Sequence, residues 1–473
     1  MFRISTRSMP TLSSLVMSDE ERDLVAELFA SGQENAAGMA LDRAFYLGRQ
    51  IIQNLRIAVP KELESYLSAV VGWPAVAVDP LVERLGIDGF RVPNGDDTDE
   101  HLSELVMVNG LDAEFPIAFT DALSMGTAYL SVGSPDEKDG APVMTVDSPL
   151  NVWAKWNLRG TAPAATLHRY QDSEQNRAVL QMPFRALHLA ENDNGEWELT
   201  KRDDHGFDFV PVMRMPNMPL SDARFGRSEI TPSIRSHTID ASRSLRALAV
   251  AGEIYSVPQR LILGATEEAF QNADGTAKTA LQTYITSVLA LERGEDGELP
   301  DVKQMAVYDP SVFTRVIDMH AARVAGDLAA MPQDLGLYTE GNPPSEEAVR
   351  ASESRRDRRA RLRQKYFNPS LARFMQMALR FENNGALPDE YRYIKPDWEL
   401  DSLAPSPSAS DAISKQVSAG VVSPESDVVR KKLGYNAVER RQLEDDSRRA
   451  RVRDGQRRTT EAMTAEAANA DGI

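Results

Sequence analysis

Apolar and polar positions divide the chain into stretches of different texture. From residue 18 to residue 125 the spacing is helical. Ser18-Asp19-Glu20-Glu21 has the form of a capping box, in which Ser18 accepts from the Glu21 amide and the Glu21 carboxylate reaches back. It opens a first helix, and a second covers Glu34 to Leu55. A third starts after Pro60 and runs towards Val71. There Val71-Gly72-Trp73-Pro74 forces a turn, because Pro74 biases Trp73 out of the helical region. Pro80 suits the start of a helix over Leu81–Leu85. Asn94 to Thr98 reads as a capped loop, followed by helices over about Asp99–Asn109 and Asp112–Met125.

Near residue 127 the period shortens to two. Ala128–Val132 alternates as a strand does, and short runs follow at Val143–Val146, Asn151–Trp156, Thr166–Tyr170, Val179–Leu189 and Trp197–Lys201. Asn192-Asp193-Asn194-Gly195 between the last two is a hairpin turn signal. These runs predict an antiparallel sheet over residues 127–215, closed by Pro211, Pro216 and Pro219.

The helical period returns over Ser228–Ile254, with Ile230, Ile234, Ala241, Leu245, Leu248 and Gly252 near one stripe. At 1.5 Å per residue this helix is roughly 40 Å long. After Pro258, residues 259–309 read as a small α/β insertion: a strand Arg260–Leu263, a helix Ala277–Leu289 and a strand Val302–Val307. A second long helix spans Ser311–Met331, with Phe313, Val316, Ile317, His320, Val324 and Leu328 as its stripe. A loop rich in Gly and Pro, Pro332–Pro344, leads to Ser345, which caps a third long helix. Asn368-Pro369 should kink or restart that helix, and Asn383-Asn384-Gly385 ends it. Ser402 to Ser410 is a linker, residues 410–458 are helical, and the ends of the chain read as tails without structure.

Composition removes whole classes of chemistry. With 473 residues the chain is long enough for several structural units, and 26% charged residues argue against wholesale disorder. There is no cysteine, which excludes disulfides, thiolate metal sites and cysteine nucleophiles. The six histidines have no metal-binding spacing, so neither a metal nor another cofactor is expected. The longest apolar run, Ala69–Val78, is too short to span a bilayer. No phosphate-binding glycine loop, nucleophile elbow or HExxH motif occurs, so no catalytic residue is assigned. Asp96-Asp97-Thr98-Asp99 resembles half of a calcium loop, but Asp99 and Leu105 stand where such a loop needs Gly and Glu.

The charge is segregated. The net charge is −18, yet residues 345–365 hold eight basic and four acidic side chains and residues 430–458 hold eleven and five. The first group includes Arg355, Arg356, Arg358 and Arg359; the second includes Arg448, Arg449, Arg451 and Arg453. Two readings stay open: ion pairing within helices or between subunits, or two basic zones beside a polyanion. Glu292, Glu295, Asp296 and Glu298 form an acidic loop inside the insertion.

Several segments together resemble the portal proteins of tailed bacteriophages, of the siphophage type common in phages of actinobacteria. They are Val70–Leu85 (VVGWPAVAVDPLVERL) with Gly89-Phe90-Arg91, and Ser124–Val132 (SMGTAYLSV). They continue with Phe225–Ile230 (FGRSEI), Pro344–Arg350 (PSEEAVR) and Leu433-Gly434-Tyr435. The resemblance covers roughly residues 34–458, and the plan of helix, insertion, helix, loop and helix is its most specific part.

It implies an α+β, mostly helical portal fold. Residues 1–17 are then a flexible tail, 18–227 an antiparallel β wing with its helices, and 228–254 and 311–331 two stem helices. Residues 255–310 become a small α/β clip, 332–344 a tunnel loop, and 345–401 the kinked long helix and its return to the wing. A linker at 402–409 joins a helical crown at 410–458, before a disordered tail at 459–473. The implied product is no enzyme but a ring, usually of twelve copies, at one capsid vertex of the virion. It is made in the host cytoplasm and serves as the conduit for packaging and ejection of double-stranded DNA.

The implied partners are further copies of the chain, the major capsid protein, scaffold, the terminase large subunit, the head–tail adaptor and DNA read without sequence specificity; no membrane is involved. Leu335, Gly336, Leu337, Tyr338, Gly341 and Asn342 would face DNA in the tunnel loop, and the acidic clip loop would meet terminase or adaptor. A mainly acidic lining suits a conduit, since dense phosphate pairing would release counterions and hold the polymer. The alternatives are another structural protein of the virion head, or an enzyme with an unrecognised acidic site.

Overall fold

The computed structural model describes residues 17–51, 69–93, 98–135, 140–171, 175–195, 197–255, 260–263, 301–304, 309–337, 345–399, 407–435 and 437–470. The helix expected after Pro60, the helix expected at 277–289, most of the linker, residues 1–16 of the N-terminal tail and residues 471–473 lie outside these residues.

The first helix, α1 (Asp19–Tyr46), has its capping box in place: the Glu21 amide donates to Ser18 Oγ at 3.2 Å and the Ser18 amide to Glu21 Oε2 at 2.9 Å. It is one helix where the sequence predicts two. Gly32 does not break it, because the missing side chain is needed: an added Cβ would lie 2.0 Å from Trp153 Cδ2. The helix stops at Tyr46 rather than Leu55, where Gly48 turns left-handed at φ +63°.

Two single turns follow, α2 (Trp73–Val76) and α3 (Asp79–Val82), with Pro74 and Pro80 in their first turns. Pro74 therefore opens a helix instead of forcing a turn out of one. A first-turn proline gives up only an amide that has no intrahelical partner. Strand β1 (Ile87–Arg91), α4 (Glu100–Val108) and α5 (Leu111–Met125) come next, and Asp99 caps α4 by accepting from the Leu102 amide at 3.0 Å.

The strand region holds β2 (Thr127–Gly133), β3 (Val143–Asp147), β4 (Val152–Trp156) and β5 (Pro163–Gln171). It continues with β6 (Asn176–Met182), β7 (Arg185–Glu191), β8 (Trp197–Asp204) and β9 (Val212–Pro216). All pairings are antiparallel, but they form two sheets, not one: β3-β2-β9 and the meander β4-β5-β6-β7-β8. The run Val179–Leu189 splits into β6 and β7 because Phe184 turns at φ +65° behind Pro183. The Asn192–Gly195 turn is as expected, with the Gly195 amide donating to Asn192 O at 2.9 Å.

The first long helix, α6, begins at Pro232 rather than Ser228 and ends at Tyr255. Residues 228 and 229 are instead tied to the end of α5. Strands β10 (Arg260–Leu263) and β11 (Asp301–Gln304) pair antiparallel. The second long helix, α7 (Ser311–Leu328), ends three residues early because Ala329 is left-handed at φ +52°.

The third, α8 (Glu346–Glu382), runs unbroken through Pro369. Proline removes one backbone bond, yet buried Phe367, Leu371 and Phe374 on either side hold the helix in the core. Strand β12 (Lys395–Trp398) returns to pair with β1. Helices α9 (Pro407–Ser418), α10 (Asp427–Lys432) and α11 (Ala437–Ala470) complete the chain. The end of the expected linker, 407–409, is thus helical, and the expected disordered tail is helix as far as Ala470. Alanine-rich sequence with no Gly or Pro between Gly455 and Ala470 keeps good helix propensity there. Among the described residues no helix is long and apolar enough to cross a membrane.

Two cores result. In one, Val25, Leu28 and Phe29 of α1 pack on the meander, with Phe29 centred 5.3 Å from both Trp153 and Trp197. In the other, α5, β2, α6, α7 and α8 share one apolar cluster, in which Phe119 stacks on Phe367 at 5.6 Å. Two glycines of α1 test the first core. Gly32→Ala forces Trp153 aside and should cost about 1–3 kcal/mol. Gly38→Ala, with nothing within 4 Å of its added Cβ, should stabilise by up to about 1 kcal/mol. Denaturant midpoints measured with identical slopes check both signs.

Candidate functional site

The two long helices α6 and α7 run antiparallel, as two side-chain contacts fix. Ser233 Oγ donates to Asp327 Oδ2 at 2.7 Å, and His237 and His320 meet Nδ1 to Nδ1 at 3.0 Å. Burial first, and then the neighbouring His237, hold His320 below the ordinary imidazole value; Arg323 adds to this and Asp240 opposes it.

Helix α8 binds the end of this pair with one face. Arg356, Arg359 and Arg363 recur at helical spacing, so they point the same way. Arg363 donates to Glu229 Oε1 from Nη2 at 2.6 Å and from Nε at 2.9 Å. Arg359 donates to Glu229 Oε2 at 3.0 Å and, with Nη1, to the carbonyl of Leu328, the last residue of α7. A cation on that carbonyl also meets the negative end of the helix dipole. Arg356 pairs with Asp334, in a 3-10 turn spanning Pro332–Leu335, and with Glu353. Arg84, after α3, pairs with Glu353 and Asp357 on the same helix.

Glu229 itself is 3% exposed. It is set in place by a close meeting of two loops. Its amide donates to Leu123 O at 2.8 Å, Ser228 Oγ donates to Ser124 O at 2.6 Å, and Asn217 Nδ2 reaches Glu229 Oε1 at 3.0 Å. Gly226, at φ +102°, has no room for a side chain: a Cβ would sit 2.2 Å from Gly126 O.

The loop after α7 starts firmly anchored. Leu335 is buried in the core, and its carbonyl accepts from Trp73 Nε1 at 3.3 Å. Leu337 packs against the same cluster. Gly336 is left-handed at φ +83° with open space around it. Tyr338, Gly341 and Asn342, and the acidic residues Glu292, Glu295, Asp296 and Glu298, lie outside the described residues.

The basic positions divide by face. On α8, Arg356 and Arg359 serve the clamp, whereas Arg355 and Arg358 are exposed. On α11, Arg448, Arg449, Arg451 and Arg453 are exposed beside acids or carbonyls: Arg451 pairs with Glu425 at 3.1 Å, Arg448 with Glu444 at 4.0 Å and Arg449 with Asp446 at 3.8 Å. Arg453 donates to Arg449 O at 3.4 Å.

A second node that the sequence did not reveal docks α10 and α11 on the body. Buried Asp397 of β12 accepts from Lys431 at 2.6 Å, from Arg440 at 3.5 Å and from Arg91. Burial works to raise its carboxyl, but the bonds from Lys431 and Arg91 outweigh it and hold the group below the usual range. Among the described residues no group of three or more His, Asp or Glu is placed to hold a metal ion.

The arrangement is that of a structural component: a helix pair and a loop start, locked to a transverse helix by buried charges. Comparison with known proteins agrees. The chain matches the family "Phage portal protein, SPP1 Gp6-like" over residues 41–430. It is 29% identical over 432 residues to the portal protein of Mycobacterium phage D29, covering 88% of this chain and 86% of that one. It is 29% identical over 434 residues to the portal protein of Mycobacterium phage L5, covering 90% and 88%. A chain in the solved "Virion of native gene transfer agent (GTA) particle" aligns at 16% identity with a TM-score of 0.42, over 84% of this chain and 99% of that one. The chain belongs to the SPP1 Gp6-like family of phage portal proteins, and the two mycobacteriophage relatives meet the resemblance read from the sequence.

Two outcomes test the clamp. Glu229→Gln leaves Arg359 and Arg363 buried without their counter-charge and should cost about 3–5 kcal/mol in equilibrium unfolding. The histidine pair has a defined sign. His320 is depressed in the folded state, so its contribution is present above the ordinary value of about 6.5 and is lost as pH falls below it. Wild type should therefore lose stability between pH 7 and pH 5 more steeply than His320→Gln, as thermal melts across that range would read.

Proposed function

We propose that copies of this chain assemble into a ring, a dodecamer as is usual in the family, at one vertex of a phage capsid. The ring is the conduit for packaging and ejection of double-stranded DNA. The observation that supports this reading most is the clamp: α6 and α7 form a rigid antiparallel pair whose one end is fixed to α8 by Glu229, Arg359 and Arg363. A ring of such units has repeated long helices and a repeated loop to present along one axis. Residues 18–227 then act as wing, α6 and α7 as stem, 255–310 as clip, 332–344 as tunnel loop and 410–458 as crown.

In the same proposal the clip meets the terminase large subunit during packaging and the head–tail adaptor afterwards, while the wing meets the major capsid protein and scaffold. The net charge of −18 keeps most of the surface repulsive to phosphate, so DNA passes without being gripped. The contacts to DNA carry no sequence information, as backbone contacts do not. The family is structural, and the ring performs no catalysis of its own in this reading.

Negative-stain imaging of the purified chain, with its mass from light scattering, tests this directly. The expected particles are rings with a central hole and a mass near twelve times 52.3 kDa. A compact dimer that stays a dimer with capsid and scaffold proteins present would refute it.

A further inference from the structure

Among the described residues Arg214 is a buried cation with neither a counter-ion nor a hydrogen-bond acceptor. Arg214, on β9 opposite Tyr129 of β2, is 7% exposed. Its guanidinium carbon lies 4.1 Å above the Trp156 ring centroid and 5.7 Å from that of Phe225. Among the described residues it has no carboxylate and no hydrogen-bond acceptor for its five N–H donors. An arginine does not escape by losing its proton, and a buried charge without a partner is costly. Burial first pulls it below the ordinary arginine value; the neighbouring Tyr129 opposes this, and the like charge of Arg224 adds to it.

The group opens onto a cavity of about 420 Å³ that carries no acidic residue in its wall. Trp156 and Tyr366 supply flat apolar sides; Thr161, Gln376 and Arg373 supply polar atoms. Arg373 is exposed, and among the described residues it too has no acid partner. Pro369 helps to open the space, since it lies in the wall and carries no amide there. The cavity thus offers donors without acceptors of charge, beside walls suited to a short aliphatic stem.

We propose that this cavity is a carboxylate-binding site filled by an Asp or Glu side chain from a neighbouring copy of the chain. The inference rests on the ring reading above. Carboxylates are what copies of this chain have in excess, with 71 acidic against 53 basic side chains. The guanidinium fork matches a planar carboxylate with two parallel bonds. A DNA phosphate is the weaker candidate, because the site is a recess in a chain of net charge −18 rather than an open basic groove.

The test compares Arg214→Met and Arg214→Lys with wild type in two readouts. One is assembly as a function of concentration, by mass photometry. The other is the melting temperature of the chain at dilutions where it is dissociated. Arg214→Met removes an unmatched charge from the free chain, so its melting temperature should be equal to wild type or higher. In assembly it strands the neighbour's carboxylate, and the half-assembly concentration should rise by at least ~30-fold. Arg214→Lys keeps the charge without the fork and should fall between the two.

Assembly equal to wild type in both variants overturns the proposal, and if DNA affinity fell instead the anion would be a phosphate. A melting temperature that drops in parallel with assembly overturns it as well, making Arg214 an internal strut against Trp156. Should the Met variant not fold, the Lys variant decides alone: unchanged assembly refutes the site. Wild type that forms no ring with scaffold present would instead refute the ring itself, a result that no Arg214 variant produces.

Discussion

The fold depends on one buried carboxylate held by two guanidinium groups. Glu229 lies at the head of α6, Arg359 and Arg363 lie roughly four turns into α8, and Arg359 also holds the last carbonyl of α7. A buried ion pair of this kind adds little net stability over well-packed apolar groups, because desolvation offsets the attraction. What it supplies is geometry. A planar fork on a planar carboxylate permits few orientations, whereas leucines on the same surfaces would permit several sliding registers. Once Glu229 is fixed, the ends of both long helices, the 3-10 turn through Asp334 and Arg356, and the transverse helix have only one relative placement.

The segments that carried the family resemblance turn out to be the parts of this junction. Ser124–Val132 and Phe225–Ile230 meet through Ser228, Glu229 and the approach of Gly226 to Gly126. Trp73 of the Val70–Leu85 segment holds the Leu335 carbonyl, and Arg84 of the same segment holds two acids of α8. Each motif is short and weak when read alone because each supplies only one side of a contact. Their order along the chain is specific because the contacts join distant positions.

This explains what was legible and what was not. Local signals were read well: the Ser18 capping box, the Asp99 and Ser345 caps, the Asn192–Gly195 turn and the strand alternation all found their elements. Pairings between distant segments were not legible. β1 pairs with β12, and Arg91 with Asp397 306 positions on, while β2 pairs with β9 across the whole meander that separates them. Gly32 inside α1 and Pro369 inside α8 carry a local cost that packing overrides, against Trp153 in one case and through Phe367 and Phe374 in the other. The basic run on α8 left two readings open for a physical reason. A count treats all its arginines alike, while the helix sends Arg356, Arg359 and Arg363 inward and Arg355, Arg358 and Arg361 outward.

The same division bears on how an acidic chain uses its cations. Buried Arg363, Arg430 and Arg440 each find acceptors within the chain, and Arg246 donates to the Ala69 carbonyl at 3.1 Å. A chain with acids to spare has no shortage of partners for a buried cation, so an unmatched one does not reflect scarcity. It reflects where the acids are: none lines the recess beside Arg214. A single copy is therefore electrostatically complete at its clamp and incomplete on its β9 face. The first condition suits a rigid building block, and the second suits a block that is finished by what it is set against.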